Sequence, residues 1–175
     1  YRAIENINIY GGAVYQTIEG DVKLRGIAYG ATQALGMDDA SIKEDSAVGW
    51  LAGFAYQIPE IALKASVTYR SEIEHKLGTS ESGVSAPLGG AFSSNSNTKI
   101  TTPQSVNLDF QTGIMANTVA FANVRWVDWS NFSIQPAKFG QASETLGALG
   151  RGPVGGFDLV AYTDDQISAT VGLGL

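Results

Sequence analysis

The most regular pattern along the chain is an alternation of apolar and polar residues with a period of two. Between residues 61 and 77 the odd positions carry mostly apolar side chains, and the even positions carry five charged ones: Lys64, Arg70, Glu72, Glu74 and Lys76. Because successive side chains of a β-strand point to opposite faces, this pattern predicts a strand with one apolar and one charged face. On a helix the same residues would scatter around the whole circumference.

The same alternation predicts strands over residues 14–24, 48–56 and 106–114, with further strands within 118–133 and 166–175. Upstream of the first of these, Ile7 and Ile9 occupy odd positions, whereas Val14 and Ile18 occupy even ones. This change of parity near Gly11 and Gly12 predicts a β-bulge at that point. The fold class that follows is all-β and antiparallel.

The connections between the predicted strands alternate between short and long. Residues 57–60 and 116–117 form tight turns, whereas 26–46, 79–101 and 136–156 are long, polar stretches. Structureless loops longer than about 15 residues are unusual in compact domains, and long loops on one side with tight turns on the other are typical of an outer-membrane barrel. A crossing strand needs about 9–11 residues, so the strand over 61–77 is expected to project beyond the bilayer.

Two architectures remain compatible with the alternation. In a transmembrane β-barrel the charged face would line the lumen and the apolar face would meet lipid. In a soluble, two-sheet β-sandwich that binds or adheres to a partner, the apolar face would form the core and the charged face would meet water. Loop asymmetry and strand length favour the barrel.

Composition narrows the classes of function. The 175 residues carry a formal net charge of −6, with 11 Lys and Arg against 17 Asp and Glu, and no cysteine. The acidic balance argues against a nucleic-acid partner, and the lack of cysteine excludes disulfides, a thiolate zinc site and a cysteine nucleophile. His75, the single histidine, has no serine or carboxylate at a spacing diagnostic of catalysis, and we expect it at the surface. We therefore predict neither an enzyme nor a cofactor.

Several segments, in order, resemble a known family. The segment GWLAGFAY at 49–56, followed by ASVTYRSEI at 65–73, resembles a hairpin of the FadL family of Gram-negative outer-membrane transporters. The segments TPQSV at 102–106 and VRWVDWSNF at 124–132 are similar to the family's next hairpin. A third segment, YTDDQIS at 162–168, is similar to the turn that opens a later strand.

The resemblance implies a fold and a function. The family fold is a fourteen-stranded barrel plugged by an N-terminal hatch, of which residues 1–175 would be a central portion with about seven strands. A half barrel has two unpaired edges, so we expect that this portion does not insert or transport alone. The implied function is passive uptake of long-chain fatty acids or other hydrophobic small molecules by a monomeric barrel. Its surroundings would be the lipid and lipopolysaccharide of the outer membrane.

The same resemblance points to candidate ligand contacts. A fatty acid carrier needs an apolar groove and a cationic group for the carboxylate. By resemblance, the headgroup would meet Lys23, Arg25 and Lys138, each of which could equally be an ordinary lumen or loop charge. The apolar lining would include three aromatic residues: Trp129, Phe132 and Phe139. Trp50 and Trp126 lie near strand ends, which favours the aromatic belts of a membrane protein over ligand stacking.

Overall fold

The structure, a computed structural model, describes residues 2–25 and 37–174. Alternating polar and apolar residues build nearly all of its secondary structure as strands, with a helix in one long connection. The strands are β1 (Arg2–Ile4), β2 (Ile7–Leu24), β3 (Met37–Ile58), β4 (Leu63–Arg70), β5 (Ile73–Ser85), β6 (Gly90–Thr102), β7 (Ser105–Met115), β8 (Thr118–Val127), β9 (Ser133–Ile134), β10 (Val160–Ala161) and β11 (Gln166–Gly174). The helix is α1 (Ala137–Ala148), and two short 3-10 turns cover Pro59–Ile61 and Trp129–Asn131.

Seven of these strands form a curled antiparallel wall in the order β1-β2-β3-β4-β7-β8-β11. Tight turns close its lower end, at residues 5–6, 59–62 and 116–117, and the long connections all leave from the opposite, upper end. The β5–β6 hairpin stands on that upper end, where β5 pairs with the first residues of β3. This confirms the predicted portion of a transmembrane antiparallel β-barrel, and short turns place the lower end on the periplasmic side.

The two faces of the wall differ in chemistry. One row of register partners runs across six strands on the outer face and is apolar throughout: Ile9, Phe54, Val67, Leu108, Val124 and Ala169. Phe54, Val67 and Leu108 are 44%, 43% and 47% exposed, so no part of the described chain covers this row. The inner face carries mainly small and polar residues. An apolar band on the outside and a polar lumen is the distribution that a bilayer requires.

The predicted strand over 61–77 is wrong in one respect, because it is two strands. β4 ends at Arg70 and β5 begins at Ile73, and the side-chain parity changes between them. Arg70 therefore lies on the inner face of the wall, whereas Glu74 and Lys76 point outward from the β5–β6 hairpin. The five charges do not share a face, because the hairpin turns its odd, buried positions toward the lumen.

The predicted bulge at Gly11 and Gly12 is also wrong. β2 and β3 stay in register from the pair Ile7–Tyr56 to the pair Ile18–Asp45, and the irregularity follows Ile18. The apolar residues change parity because Val14 and Ile18 face inward. They face an apolar part of the lumen and need no change of register.

The three long polar stretches are more ordered than the sequence indicated. Residues 79–101 form most of the β5–β6 hairpin, and 136–156 contain α1. Residues 37–46 of the first stretch are the start of β3, and residues 26–36 lie outside the described residues. The hairpin packs over the lumen through a small core of Ile42, Leu77 and Ile100, against which Ile18, Phe132 and Ile134 also lie. Over residues 2–25 and 37–174, none of the helical segments has the length and apolarity to cross a membrane.

Candidate functional site

A large cavity lies against the inner face of the wall, below the β5–β6 hairpin. It has a volume of about 800 Å³ and is lined by residues of β2, β4 to β8 and β11 and by the segment after β8. Such a volume suits a drug-sized ligand. Its apolar lining comes from Val14, Ile18, Ile73, Ile100, Val127, Phe132 and Ile134.

The segment after β8 places two aromatic residues on this cavity. Asp128 accepts hydrogen bonds from Ser130 Oγ (3.3 Å) and Asn131 Nδ2 (2.7 Å), and this folds residues 129–131 into a 3-10 turn. Trp129 and Phe132 then meet edge to face, with ring centroids 5.1 Å apart. Tyr162 completes the group, with its ring 5.1 Å from Trp129. The 3-10 turn thus places the aromatic rings of Trp129 and Phe132 on one wall of the cavity.

Asp165 fastens the same turn to the start of β11. Its carboxylate accepts the backbone N–H of Ser130 at 3.1 Å and the indole N–H of Trp126 at 2.9 Å. The hydrogen bonds from Ser130, followed by the one from Trp126, lower the pKa of the exposed Asp165 carboxyl below its ordinary value. The carboxylate therefore stays ionised near neutral pH and holds Trp129 in place.

The cavity is also lined by two arginines that no sequence motif marked as site residues. Arg70, the last residue of β4, and Arg125 of β8 lie on the inner face, on either side of β7. Neither guanidinium forms an ion pair or hydrogen bond with the described part of the chain. Strands are about 4.8 Å apart, so β4 and β8 stand roughly 10 Å apart across β7. The sequence did contain a signal for these two arginines, because both lie inside the segments that carry the family resemblance.

His75 also differs from expectation, since it is fully buried and not at the surface. Its Nδ1 lies 3.1 Å from Asp45 Oδ2, and its Nε2 lies 3.3 Å from Gln16 Oε1. Thr102 Oγ1 donates to the same Gln16 oxygen at 3.1 Å. Gln16 and Thr102 line the cavity, so this polar chain forms part of its wall. The sequence did not indicate this hydrogen-bonded group, because its four residues come from four different strands.

The structure distributes the six predicted site residues over three places. Trp129 and Phe132 line the large cavity. Lys23 and Arg25 lie at and just beyond the end of β2, exposed and away from the cavity, and Arg25 pairs with Asp39. Lys138 and Phe139 lie in the first turn of α1, beside a crevice of about 10 Å³. The structure thus brings together two of the six and leaves the headgroup role of the three cations a prediction.

The first turn of α1 is fixed by a buried carboxylate. Glu81 of β5 is fully buried, and its oxygens accept the backbone N–H groups of Lys138 (2.9 Å) and Phe139 (3.1 Å). A negative charge at a helix N-terminus satisfies free N–H groups and interacts favourably with the helix dipole. The buried positions Phe139, Ala142, Ser143 and Leu146 have helical spacing, which is the signal that the prediction of a loop overlooked.

Asp38 lies next to this carboxylate, and the pKa of its own carboxyl is strongly raised. Burial, followed by the charges of Glu81 and Asp39, raises the pKa of the Asp38 carboxyl from 3.8 to about 6. Asp38 is 6% exposed, and its Oδ1 accepts no hydrogen bond from the described residues. The folded state therefore holds this proton more tightly than the unfolded chain does.

The raised pKa predicts a pH dependence of stability. The protonated Asp38 carboxyl makes its full contribution to the free energy of unfolding below about pH 4. This contribution is lost as the pH rises through about 6, because the unfolded state then binds fewer protons than the folded state. We expect Asp38→Asn to raise the free energy of unfolding by roughly 1–3 kcal/mol near pH 7.5 and to change little near pH 3.5, where the carboxyl is protonated in both states. Urea unfolding in detergent at both pH values measures this. Asp21→Asn, at an exposed position of β2, is the control, and equal effects at both pH values would contradict the prediction.

Comparison with known proteins gives a family. Residues 3–148 match the family model described as "Outer membrane protein transport protein (OMPP1/FadL/TodX)". No curated protein sequence matches the chain. Members of the matched family are outer-membrane proteins of Gram-negative bacteria, which confirms the predicted location.

Two solved structures are similar in fold. The toluene transporter TbuX of Ralstonia pickettii is 11% identical, with a TM-score of 0.54 over 99% of this chain and 48% of that one. The TodX deltaS2S3 mutant monoaromatic hydrocarbon channel is 12% identical, with a TM-score of 0.49 over 78% of this chain and 42% of that one. The chain therefore spans less than half the length of either structure. Together with the half-barrel wall, the family match shows that the chain belongs to the OMPP1/FadL/TodX family of outer-membrane proteins.

Proposed function

We propose that the protein takes up hydrophobic small molecules across the outer membrane by passive diffusion, and that its cargo carries a carboxylate on an apolar chain, as a long-chain fatty acid does. The observation that supports this most is the apolar cavity lined by two arginines that have no partner among the described residues. Apolar walls favour the hydrocarbon part, and a guanidinium binds a carboxylate through two parallel hydrogen bonds. The protein needs no nucleotide and no metal for this role.

A neutral aromatic hydrocarbon is the second candidate. The cluster of Trp129, Phe132 and Tyr162 favours it, because aromatic rings pack edge to face or in offset stacks on one another. The name of the similar structure TbuX, a toluene transporter, points in the same direction. The two candidates differ in what they require of the arginines.

Calorimetric binding of dodecanoate and of toluene to the natural protein in detergent separates the candidates. If the proposal is correct, Arg70→Gln with Arg125→Gln weakens dodecanoate binding roughly 10- to 100-fold, the equivalent of one or two charge-assisted hydrogen bonds, and leaves toluene binding unchanged.

Lys64→Gln is the matched control, since Lys64 is a cation on the inner face that does not line the cavity. Strong toluene binding with no measurable dodecanoate binding would replace the fatty acid by the hydrocarbon. Failure of both ligands to bind would remove the cavity from the proposed path.

We further propose that the outer face of the wall contacts lipid and lipopolysaccharide, and that the complete barrel is monomeric. Contiguous exposed apolar residues support the lipid contact, since such a large patch is not left in water.

A further inference from the structure

His75 has a hydrogen-bonding environment that constrains both of its ring nitrogens. A carboxylate oxygen of Asp45 lies against Nδ1, and a carboxylate accepts hydrogen bonds but does not donate them. Nδ1 therefore carries a proton in either charge state of the ring. The charge state of His75 is decided at Nε2, which faces the side-chain amide of Gln16.

The amide of Gln16 has two orientations, and each fits one charge state. When Nε2 carries a proton, it donates to Oε1 of Gln16, and the NH₂ group of Gln16 is left to face the cavity. When Nε2 has a lone pair, the NH₂ group must donate to it, and Oε1 faces the cavity instead. The described structure shows the first arrangement, with Oε1 on the side of Nε2.

Thr102 can follow both orientations. Its hydroxyl lies 3.1 Å from Gln16 Oε1 and 3.3 Å from the backbone oxygen of Ile73. It donates to Gln16 in the first arrangement. In the second it donates to Ile73 and accepts from the Gln16 amide. No buried polar atom of this group loses all its partners when the amide turns.

We propose that the protonation of His75 sets the amide orientation of Gln16, so that the cavity offers a hydrogen-bond donor to its ligand when His75 is charged and an acceptor when His75 is neutral. The inference rests on the proposed function, because it assigns a specificity-determining role to one wall of the same cavity. Histidine side chains in general change charge between about pH 5 and 8. An anionic ligand then binds more tightly in acid.

The surroundings of His75 leave few other groups to produce such an effect. Of the described residues, β3 contributes the charged Asp45, β2 the neutral Gln16, and β6 the apolar Ile100, which is the register partner of His75. The charged neighbours on its own strand, Glu74 and Lys76, point outward to solvent, as does Lys99, which pairs with Glu74. The arginines of the cavity stay charged throughout this range.

The test uses two probes whose own charge does not change with pH. Decanesulfonate is a permanent anion that only accepts hydrogen bonds, and naphthalene is neutral and forms none. For the natural protein in detergent, we expect decanesulfonate to bind roughly five- to tenfold more tightly near pH 5.5 than near pH 8, the effect of one hydrogen bond, and naphthalene to bind equally at both.

Two variants interrupt the series of hydrogen bonds from Asp45 through His75 to Gln16 at different points. Gln16→Leu removes the amide and keeps the His75–Asp45 pair, whereas His75→Asn removes the titrating ring. Each is expected to reduce the pH ratio of decanesulfonate binding to less than about twofold. Naphthalene binding shows whether each variant still folds. Gln111→Leu, at an inner-face position of β7 outside the cavity, is the control and should keep the full ratio.

Every outcome bears on the proposal. A ratio that persists in Gln16→Leu but disappears in His75→Asn would mean that the imidazolium attracts the anion directly, and it would overturn the role of the amide. A ratio that persists in both variants, or that is absent from the natural protein while both probes bind, would overturn the inference alone. Failure of both probes to bind the natural protein would overturn the proposed function as well.

Discussion

Replacing Leu77 with alanine is expected to lower the free energy of opening of the β5–β6 hairpin by about 3 kcal/mol, a roughly hundredfold increase in the open population. Leu77 is fully buried and packs on Ile42 and Ile100. Truncation removes favourable apolar burial and leaves a cavity that the antiparallel strands around it cannot close. Because Ile18, Ile100 and Phe132 also line the large cavity, the loss is expected to reach the ligand site.

Native-state hydrogen exchange of the amides in β5 and β6 measures this opening directly. Leu149→Ala is the matched control, since the same truncation at a side chain that is 65% exposed should cost less than about 0.5 kcal/mol. Equal exchange rates in the two variants would show that the hairpin is held by other contacts. Loss of protection throughout the wall as well would show that the hairpin does not open separately.

Replacing Glu81 with alanine is expected to lower the free energy required to detach α1 from the hairpin by roughly 2–4 kcal/mol. The variant leaves two N–H groups of the first helical turn without their acceptor, and the favourable interaction with the helix dipole is lost. Ser96 Oγ loses its contact to the same carboxylate. The effect is larger than that of an ordinary helix cap because Glu81 is fully buried.

Hydrogen exchange of the α1 amides is the measurement, and Glu144→Ala is the control on the same helix, at an exposed position. Glu81→Gln keeps one oxygen acceptor and should recover part of the protection. Full protection of α1 in Glu81→Ala would show that Phe139 and Leu146 alone hold the helix in place.

The sequence predicted those parts of the fold that depend on local residue patterns better than those that depend on tertiary contacts. The strands of the wall and their tight turns follow from alternation and from residues such as Pro59 and Asn117, which has a positive φ of 60°. The division of 61–77 into two strands was missed, because the change of parity at residues 71–72 depends on the hairpin docking over the lumen. The helix was missed although the spacing of Phe139, Ala142 and Leu146 indicated it.

The candidate site was less predictable than the fold. Trp129 and Phe132 were identified through their motif, and the structure places both on the cavity. Arg70 and Arg125 were overlooked, because a charged residue on the polar face of a strand is ordinary until its neighbours across the sheet are known. His75 was misplaced for the same reason, since its partners Asp45 and Gln16 are separated from it by 30 and 59 residues.

The sequence by itself determined the class of this protein, because alternation, strand length and loop asymmetry are properties of single segments that a barrel in a bilayer requires. Only the tertiary structure decided what the lumen contains. Which inward side chains meet depends on register, and in a sheet a shift of one residue exchanges the two faces. The docking of the β5–β6 hairpin buries His75 and Glu81, and it brings residues from four strands to one cavity wall.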